Sequence, residues 1–248
     1  MSHFFDNKVE AYSIGRPTYP KEILKIIANL VNGDESRIAD IGAGTGLLTK
    51  MLSELNCHIF AIEPDGNMLQ ECRQYCLNLN NIDFLHTTAE YTTLADNSID
   101  LITIAQAFHW FDKTRCKQEF QRILKDNGHV LLLWNEFLED CEMAQEYSKT
   151  LHQFKVKTTN AIANFNPDEE KRKFFGQDFM KLYYEHWHSV TEERFIAGAV
   201  SLSYTPSQNS HTYMDFVQAL HNLFSKYQKD GKILFRYKTE VCVCQFAK

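Results

Sequence analysis

The sequence lacks several features that mark secreted, membrane-spanning or nucleic-acid-binding chains. Its seven cysteines are scattered, and none forms a Cys-x2-Cys pair or stands at a His spacing suited to zinc. The most apolar run, residues 99–111, is too short and too polar to span a bilayer. A formal net charge of −6 argues against a large basic surface for DNA or RNA.

What remains is the composition of an ordinary globular protein. Hydrophobic residues make up 44% of the 248 positions and charged residues 23%. A chain of this length can bury one substantial core as a single domain. A secretory signal is not expected, because the first ten residues carry Asp6, Lys8 and Glu10 and no apolar stretch. We therefore expect one cytoplasmic domain with reduced thiols, without a bound metal, a membrane or a nucleic-acid partner.

Strand and helix signals alternate over the first two thirds of the chain. This alternation predicts a Rossmann-like, doubly wound α/β sheet with helices on both faces. About seven strands, the last one antiparallel, are expected at residues 37–41, 58–62, 82–86, 99–105, 129–134, 180–189 and 238–246, with a turn at 126–128. Helices are expected at residues 20–31, 47–55, 65–79, 112–124, 191–199 and 212–229. Residues 137–178 and 190–211 are interpreted as a mainly helical insertion over the substrate site.

Three glycines follow the first predicted strand, in the run Asp40-Ile41-Gly42-Ala43-Gly44-Thr45-Gly46. Glycines let the backbone turn sharply, and the helix that follows offers unpaired N–H groups and a positive dipole end. Dinucleotides and S-adenosylmethionine both bind at such loops. The dinucleotide fingerprint, however, requires its third glycine where this sequence has Leu47.

Two acidic residues at strand ends bear on the choice between these cofactors. Asp40, directly before the loop, would repel a pyrophosphate but suits the sulfonium and ammonium groups of S-adenosylmethionine. Glu63 ends the second strand about twenty residues later, where an acid accepts both ribose hydroxyls of either cofactor. The residues therefore favour S-adenosylmethionine, with an NAD-dependent oxidoreductase as an alternative.

Several segments together resemble a known enzyme class. Residues 38–46 and 61–65, with Met68 and Leu69, look like the first two motifs of class I methyltransferases. The chain is further similar to the trans-aconitate-methyltransferase-like branch of that class at residues 5–6, 12, 16–17, 19–20, 88–90, 100, 106–111, 124–128, 201–204 and 237–240. This resemblance spans nearly the whole chain. It is specific for the fold and for the cofactor S-adenosylmethionine, but not for the substrate.

The resemblance implies roles for individual residues. Asp40, Gly42 and Gly44 would surround the methionyl part of the cofactor, and Glu63 would hold its ribose. The full cofactor set implied is Tyr12, Arg16, Asp40, Gly42, Ala43, Gly44, Glu63, Pro64, Met68, Ala89, Glu90 and Gln106. The substrate pocket would be lined by His109, Trp110, Trp134 and Tyr204, with His109 as a candidate general base.

The expected activity is in-line transfer of a methyl group from S-adenosylmethionine to a small molecule. An acid steered by Arg16 or Arg236 is one candidate acceptor. Such a reaction depends on positioning and on exclusion of water, so it needs no catalytic dyad. A non-catalytic S-adenosylmethionine-binding protein is the main alternative. Residues 106–109 lack the Asn/Asp-Pro-Pro-Tyr pattern that grips a flipped base, which argues against a nucleic-acid substrate.

Overall fold

The structure is a computed structural model that describes residues 8–156 and 167–247. Within them lie the strands β1 (Arg37–Ile41), β2 (His58–Ile62), β3 (Ile82–Leu85), β4 (Ile99–Ala105), β5 (Leu124–Phe137), β6 (Met180–Val190) and β7 (Ile233–Cys244). They form one sheet with the order β3-β2-β1-β4-β5-β7-β6. The first five strands pair in parallel, and the last strands are antiparallel. The predicted Rossmann-like α/β fold is therefore confirmed.

The helices of the described residues alternate with the strands in the first half of the chain. They are α1 (Lys8–Gly15), α2 (Glu22–Leu30), α3 (Leu47–Leu52), α4 (Gly66–Tyr75), α5 (Lys113–Ile123), α6 (Glu142–Gln153), α7 (Pro167–Phe175), α8 (Glu192–Val200) and α9 (Tyr213–Tyr227). Apolar residues at helical spacing bury one face, such as Ile23 and Ile27 on α2 and Phe216 and Leu220 on α9. No described helix is both long enough and apolar enough to cross a membrane.

The sequence prediction is wrong at one turn. Residues 126–128 carry a strong turn signal but lie inside β5, which begins at Leu124 rather than at His129. The pairing with β4 explains the difference, because Ile99 pairs with Leu124 while Leu101 pairs with His129. The extra residues of β5 therefore form an irregularity in the ladder, much as a β-bulge does.

The region after β5 is partly as predicted. The segment interpreted as a helical insertion contains α6 and α7, and residues 157–166 between them lie outside the described residues. Strand β6 follows where the sixth strand was predicted. Helix α1 was not predicted, because its residues show almost no separation of apolar and polar faces.

The described residues group into two compact units. The sheet unit contains residues 18–135, 167–184 and 239–247, and the helical unit contains residues 8–17, 136–156 and 185–238. Each unit has its own apolar core: Ile38, Ile59 and Ile102 are fully buried in the sheet unit, as are Phe195 and Phe216 in the helical unit. Burial of such side chains is the main force that stabilises each core. The interpretation as a single domain stays a prediction.

Candidate cofactor and substrate site

The glycine loop has a backbone that only glycine adopts readily. Gly42, Gly44 and Gly46 have φ angles of +73°, +57° and +88°. The N–H groups of Gly42 and Ala43 donate to the carbonyl of Ile62 at 2.9 and 3.0 Å, which fixes the loop to the end of β2. A Cβ atom on Gly42 would lie 2.5 Å from the Cβ of Ala107, so a larger residue there would collide with the segment after β4.

Glu63 joins the loops that follow β1 and β2. One of its carboxylate oxygens accepts the N–H of Gly44 at 2.9 Å, and the other accepts the N–H of Asp65 at 3.0 Å. Burial raises the pKa of Glu63, although both backbone hydrogen bonds oppose this effect. Each oxygen keeps a further lone pair, so the carboxylate can still accept two ribose hydroxyls.

Asp40 is almost completely buried at 1% exposure. Its two carboxylate oxygens accept hydrogen bonds from the hydroxyls of Thr49 at 2.6 Å and Thr103 at 2.9 Å. The pKa of Asp40 is raised to about 6: burial is the main cause, the two hydrogen bonds oppose the rise, and the charge of Glu63 adds to it. Asp40 thus connects β1 to α3 and to β4 directly beneath the glycine loop.

Sequence reasoning missed Thr49 and Thr103 as partners of Asp40. A signal for Thr103 was present, because it is the polar residue in the middle of a buried, otherwise apolar strand. A buried hydroxyl requires a hydrogen-bond partner. Sequence alone, however, does not reveal which residue supplies that partner.

The residues expected near the adenine follow β2 and β3. Asp65 caps α4 by accepting the N–H groups of Asn67 and Met68, which places Met68 on the first turn of that helix. Ala89 is buried. Glu90 accepts the N–H of Asp112 at 3.0 Å; burial raises the pKa of Glu90, but this hydrogen bond and further ones outweigh burial and leave it lowered.

The carbonyl oxygen of Pro64 lies 3.0 Å from the Nε2 atom of His86, and the Pro64 side chain is exposed. Gln106, directly after β4, has a φ angle of +59°, a strained value for a residue other than glycine. Its N–H donates to the carbonyl of Leu133 and its amide to that of Asn135, so Gln106 is fixed beside the end of β5.

Three aromatic side chains meet, two from the segment after β4 and one from the last residues of β5. The imidazole of His109 lies 4.7 Å from the ring of Trp110 and 5.2 Å from that of Trp134, measured between centroids. Burial, followed by the charge of Lys113, lowers the pKa of His109, so the ring is neutral at neutral pH. Its Nδ1 atom is buried and has no hydrogen-bond partner among the described residues. Trp110 is 65% exposed and Trp134 40%.

Three predicted site residues, Tyr12, Arg16 and Tyr204, belong to the helical unit. The guanidinium of Arg16 lies 4.5 Å from the ring centroid of Tyr12. Arg236, also in this unit, forms ion pairs with Asp140 and Glu185, so its charge is already neutralised. The roles of Tyr12, Arg16 and Tyr204 towards cofactor or substrate stay predictions.

The sheet unit contains all other predicted site residues, most of them in the loops after β1, β2, β3 and β4: Asp40, Gly42, Ala43, Gly44, Glu63, Pro64, Met68, Ala89, Glu90, Gln106, His109, Trp110 and Trp134. Parallel strands present their carboxyl ends at one edge of the sheet, where open α/β sheets bind ligands. No three His, Cys, Asp or Glu side chains of the described ranges are grouped so as to hold a metal ion.

Part of this unit is similar to a known domain family. Residues 39–132 match the family described as "Methyltransferase domain". An uncharacterized methyltransferase of Mycobacterium bovis is 39% identical over 135 residues, which cover 54% of this chain and 53% of the relative. An uncharacterized methyltransferase-like protein of Schizosaccharomyces pombe is 33% identical over 153 residues, covering 61% and 59%. The chain thus spans little more than half the length of the curated relatives it matches.

The fold is also similar to solved structures. A proposed type II methyltransferase from Anaeromyxobacter dehalogenans superposes with a TM-score of 0.66 at 17% identity, covering 93% of this chain and 97% of the other. The chain therefore has the Rossmann-like fold of class I methyltransferases. Residues 39–132 are similar to a methyltransferase domain, and the chain shares its fold with a methyltransferase.

Proposed function

We propose that this protein transfers the methyl group of S-adenosylmethionine to a small molecule bound beside His109, Trp110 and Trp134. The observation that carries the proposal is the carboxylate of Glu63, held by Gly44 and Asp65 at the carboxyl end of β2. This geometry suits recognition of a ribose, while the curved glycine loop suits close approach of a ligand to the backbone. A Cβ atom on Gly44 would meet no atom within 4 Å, so space is open there.

The buried acids select the charge of the ligand. Asp40 and Glu63 place carboxyl groups next to the loop, which favours a cofactor with a sulfonium and an ammonium over a pyrophosphate. When bound, S-adenosylmethionine would supply an electrophilic methyl group, and transfer of that group to the acceptor would leave S-adenosylhomocysteine. The loop and Glu63 would fix the direction of that methyl group, which is how oriented binding lowers such barriers.

The aromatic group formed by His109, Trp110 and Trp134 would hold the acceptor. Trp110 and Trp134 offer exposed apolar faces, and the neutral imidazole of His109 offers a nitrogen without a partner among the described residues. That nitrogen can accept a proton from a hydroxyl or amine acceptor. A carboxylic acid, which is already ionised at neutral pH, needs no base and is the acceptor class we favour.

The methyltransferase branch, the substrate class and the cellular location are proposed from the sequence. The resemblance described above supports the trans-aconitate-methyltransferase-like branch, and the net charge of −6 supports small molecules over nucleic acids as substrates. We also propose a cytoplasmic location.

Calorimetry with S-adenosylhomocysteine tests the cofactor site. Glu63→Gln should weaken binding about tenfold or more, since hydrogen bonds to a charged group contribute about 1.5–3 kcal/mol. Asp83→Asn, which alters an exposed acid on β3, should leave the affinity unchanged. Thermal unfolding of each variant shows whether the loop remains folded. Equal affinity of Glu63→Gln and the wild type would contradict the assignment.

Release of S-adenosylhomocysteine with a panel of small acids, phenols and amines tests the activity. Turnover with any of them supports the proposal. Tight cofactor binding without turnover on the whole panel would instead favour a non-catalytic binding protein.

A further inference from the structure

Arg16 in the helical unit is a half-buried cation. Within the described part of the chain, its buried Nε atom has no hydrogen-bond partner and no carboxylate forms an ion pair with it. A guanidinium cannot lose its charge in a protein, and burying a charge is costly unless an opposite charge compensates it. The cation–π contact with Tyr12 compensates only in part.

Three tyrosines lie in or next to the apolar core against which α1, the helix directly before Arg16, packs through Ala11 and Ile14. Burial raises the pKa of Tyr147, Tyr204 and Tyr237, in the last case to about 12, and the charge of Arg16 opposes the rise in all three. The rings of Tyr147 and Tyr237 share Phe137 as a neighbour, and Tyr204 packs against the same core. All three are protonated at neutral pH and are therefore hydrogen-bond donors.

No side-chain hydrogen bond joins these three hydroxyls to any residue in the described ranges. Their rings are nevertheless held firmly: Phe137 lies 5.6 Å from the ring centroids of both Tyr147 and Tyr237, and Phe235 lies 5.0 Å from Tyr147. The donors are thus fixed in place before any ligand binds, which reduces the entropy cost of binding.

The charges around the cluster favour an anion with a single charge. Lys155 lies 5.6 Å from the ring centroid of Tyr204 and adds a second cation. Glu139 is the acid whose charge acts on Tyr204, and one of its oxygens accepts the hydroxyl of Ser148. The excess of positive charge is therefore small, about one elementary charge.

We propose that Arg16, together with the hydroxyls of Tyr147, Tyr204 and Tyr237, binds the carboxylate of a small organic molecule. A planar guanidinium forms two parallel hydrogen bonds with a carboxylate, and phenol hydroxyls can donate to its remaining lone pairs. The bound group is the carboxylate of a free organic acid, and this binding does not rest on the proposed function.

Calorimetry with pairs of probes that differ in charge tests the site. Benzoate is compared with benzamide, and succinate with succinamide, because each amide keeps the shape but loses the charge. S-Adenosylhomocysteine is compared with 5′-methylthioadenosine, which lacks the carboxylate. The variants are Arg16→Gln, Tyr147→Phe and Tyr237→Phe. Tyr213→Phe serves as the matched control, because the pKa of this tyrosine of the helical unit is raised by burial alone.

At least one acid should bind more tightly than its amide. Arg16→Gln should weaken binding of that acid about tenfold or more and leave binding of the amide unchanged. Tyr147→Phe and Tyr237→Phe should each weaken it several-fold, yet leave the midpoint of thermal unfolding equal or higher, because each removes a hydroxyl without a partner in the described chain. Tyr213→Phe should not change acid binding.

The proposal is overturned if Arg16→Gln leaves the preference for every acid over its amide unchanged. A change only in the preference for S-adenosylhomocysteine over 5′-methylthioadenosine also overturns the binding of a free acid. Because these measurements involve no turnover, acid binding without methyl transfer would refute the proposed function alone.

Discussion

Asp40 is expected to make the folded protein less stable as the pH rises towards neutrality. Burial raises the pKa of this carboxyl group from 3.8 to about 6 in the folded chain. Between these two pH values the folded state binds a proton that the unfolded state has released. Protonation therefore favours folding, and loss of the proton opposes it.

The size of the effect follows from the difference in pKa. A difference of about 2 corresponds to about 3 kcal/mol, because each pKa unit corresponds to about 1.4 kcal/mol. The contribution of Asp40 is fully present below about pH 4 and is lost as the pH rises through about 6. Burial also raises the pKa of Glu63, so this acid acts in the same direction.

Asp40→Asn removes the titration while keeping the shape of the side chain. The amide oxygen can accept from one threonine, and the amide group can donate to the other, because a hydroxyl serves in either role. We expect the variant to exceed the wild type in free energy of unfolding by up to about 3 kcal/mol at pH 7. The difference should shrink towards pH 4, where the carboxyl group is also neutral. Binding of S-adenosylhomocysteine should weaken, since the negative charge is lost.

Urea unfolding at pH 4, 5, 6 and 7 measures this difference directly. Asp83→Asn, on the exposed side of β3, controls for the loss of one acid at the surface. A difference between Asp40→Asn and the wild type that stays constant from pH 4 to pH 7 would refute the reasoning. So would a variant that is less stable than the wild type at pH 7.

Two further predictions concern the loop and the aromatic group. Gly46→Ala should cost clearly more stability than Gly33→Ala in urea unfolding, because its Cβ would lie 2.7 Å from the Sγ atom of Cys72. Gly33 also has a positive φ angle, but a Cβ atom added there would meet no atom within 4 Å, so Gly33→Ala measures the cost of the φ angle alone, about 1–2 kcal/mol. Equal losses of stability in the two variants would contradict the predicted clash with Cys72. His109→Gln should reduce turnover of acceptors that must lose a proton about a hundredfold, and change turnover of carboxylates little. An equal loss on both classes would assign His109 to positioning.

The sequence predicted those parts of the site that depend on local signals. The bounds of β1, β2 and β4 agree with the predicted ones, because each is a short apolar run. The glycine loop and Glu63 could be located because their spacing from these strands is fixed by the fold. Likewise, Asp65 was predicted to cap α4 and does so.

Features that depend on distant parts of the chain could not be predicted. The hydrogen bond between Thr103 and Asp40 joins residues 63 positions apart. Tyr147, Tyr204 and Tyr237 pack in or against one core although they come from distant positions. The turn signal at residues 126–128 was overridden because β5 pairs with β4 on both sides of it. In each case tertiary pairing determined the result, and no local pattern encodes such pairing.

Thr103, a residue inside the sheet, helps to hold the Asp40 carboxyl group beneath the glycine loop. It is fully buried and donates to the same carboxyl group as Thr49 from the other side. A change from threonine to valine there keeps the shape of the side chain but removes one of the two donors. Natural or engineered variants with altered cofactor affinity should therefore be sought within the interior of β4 as well as among the residues that line the pocket.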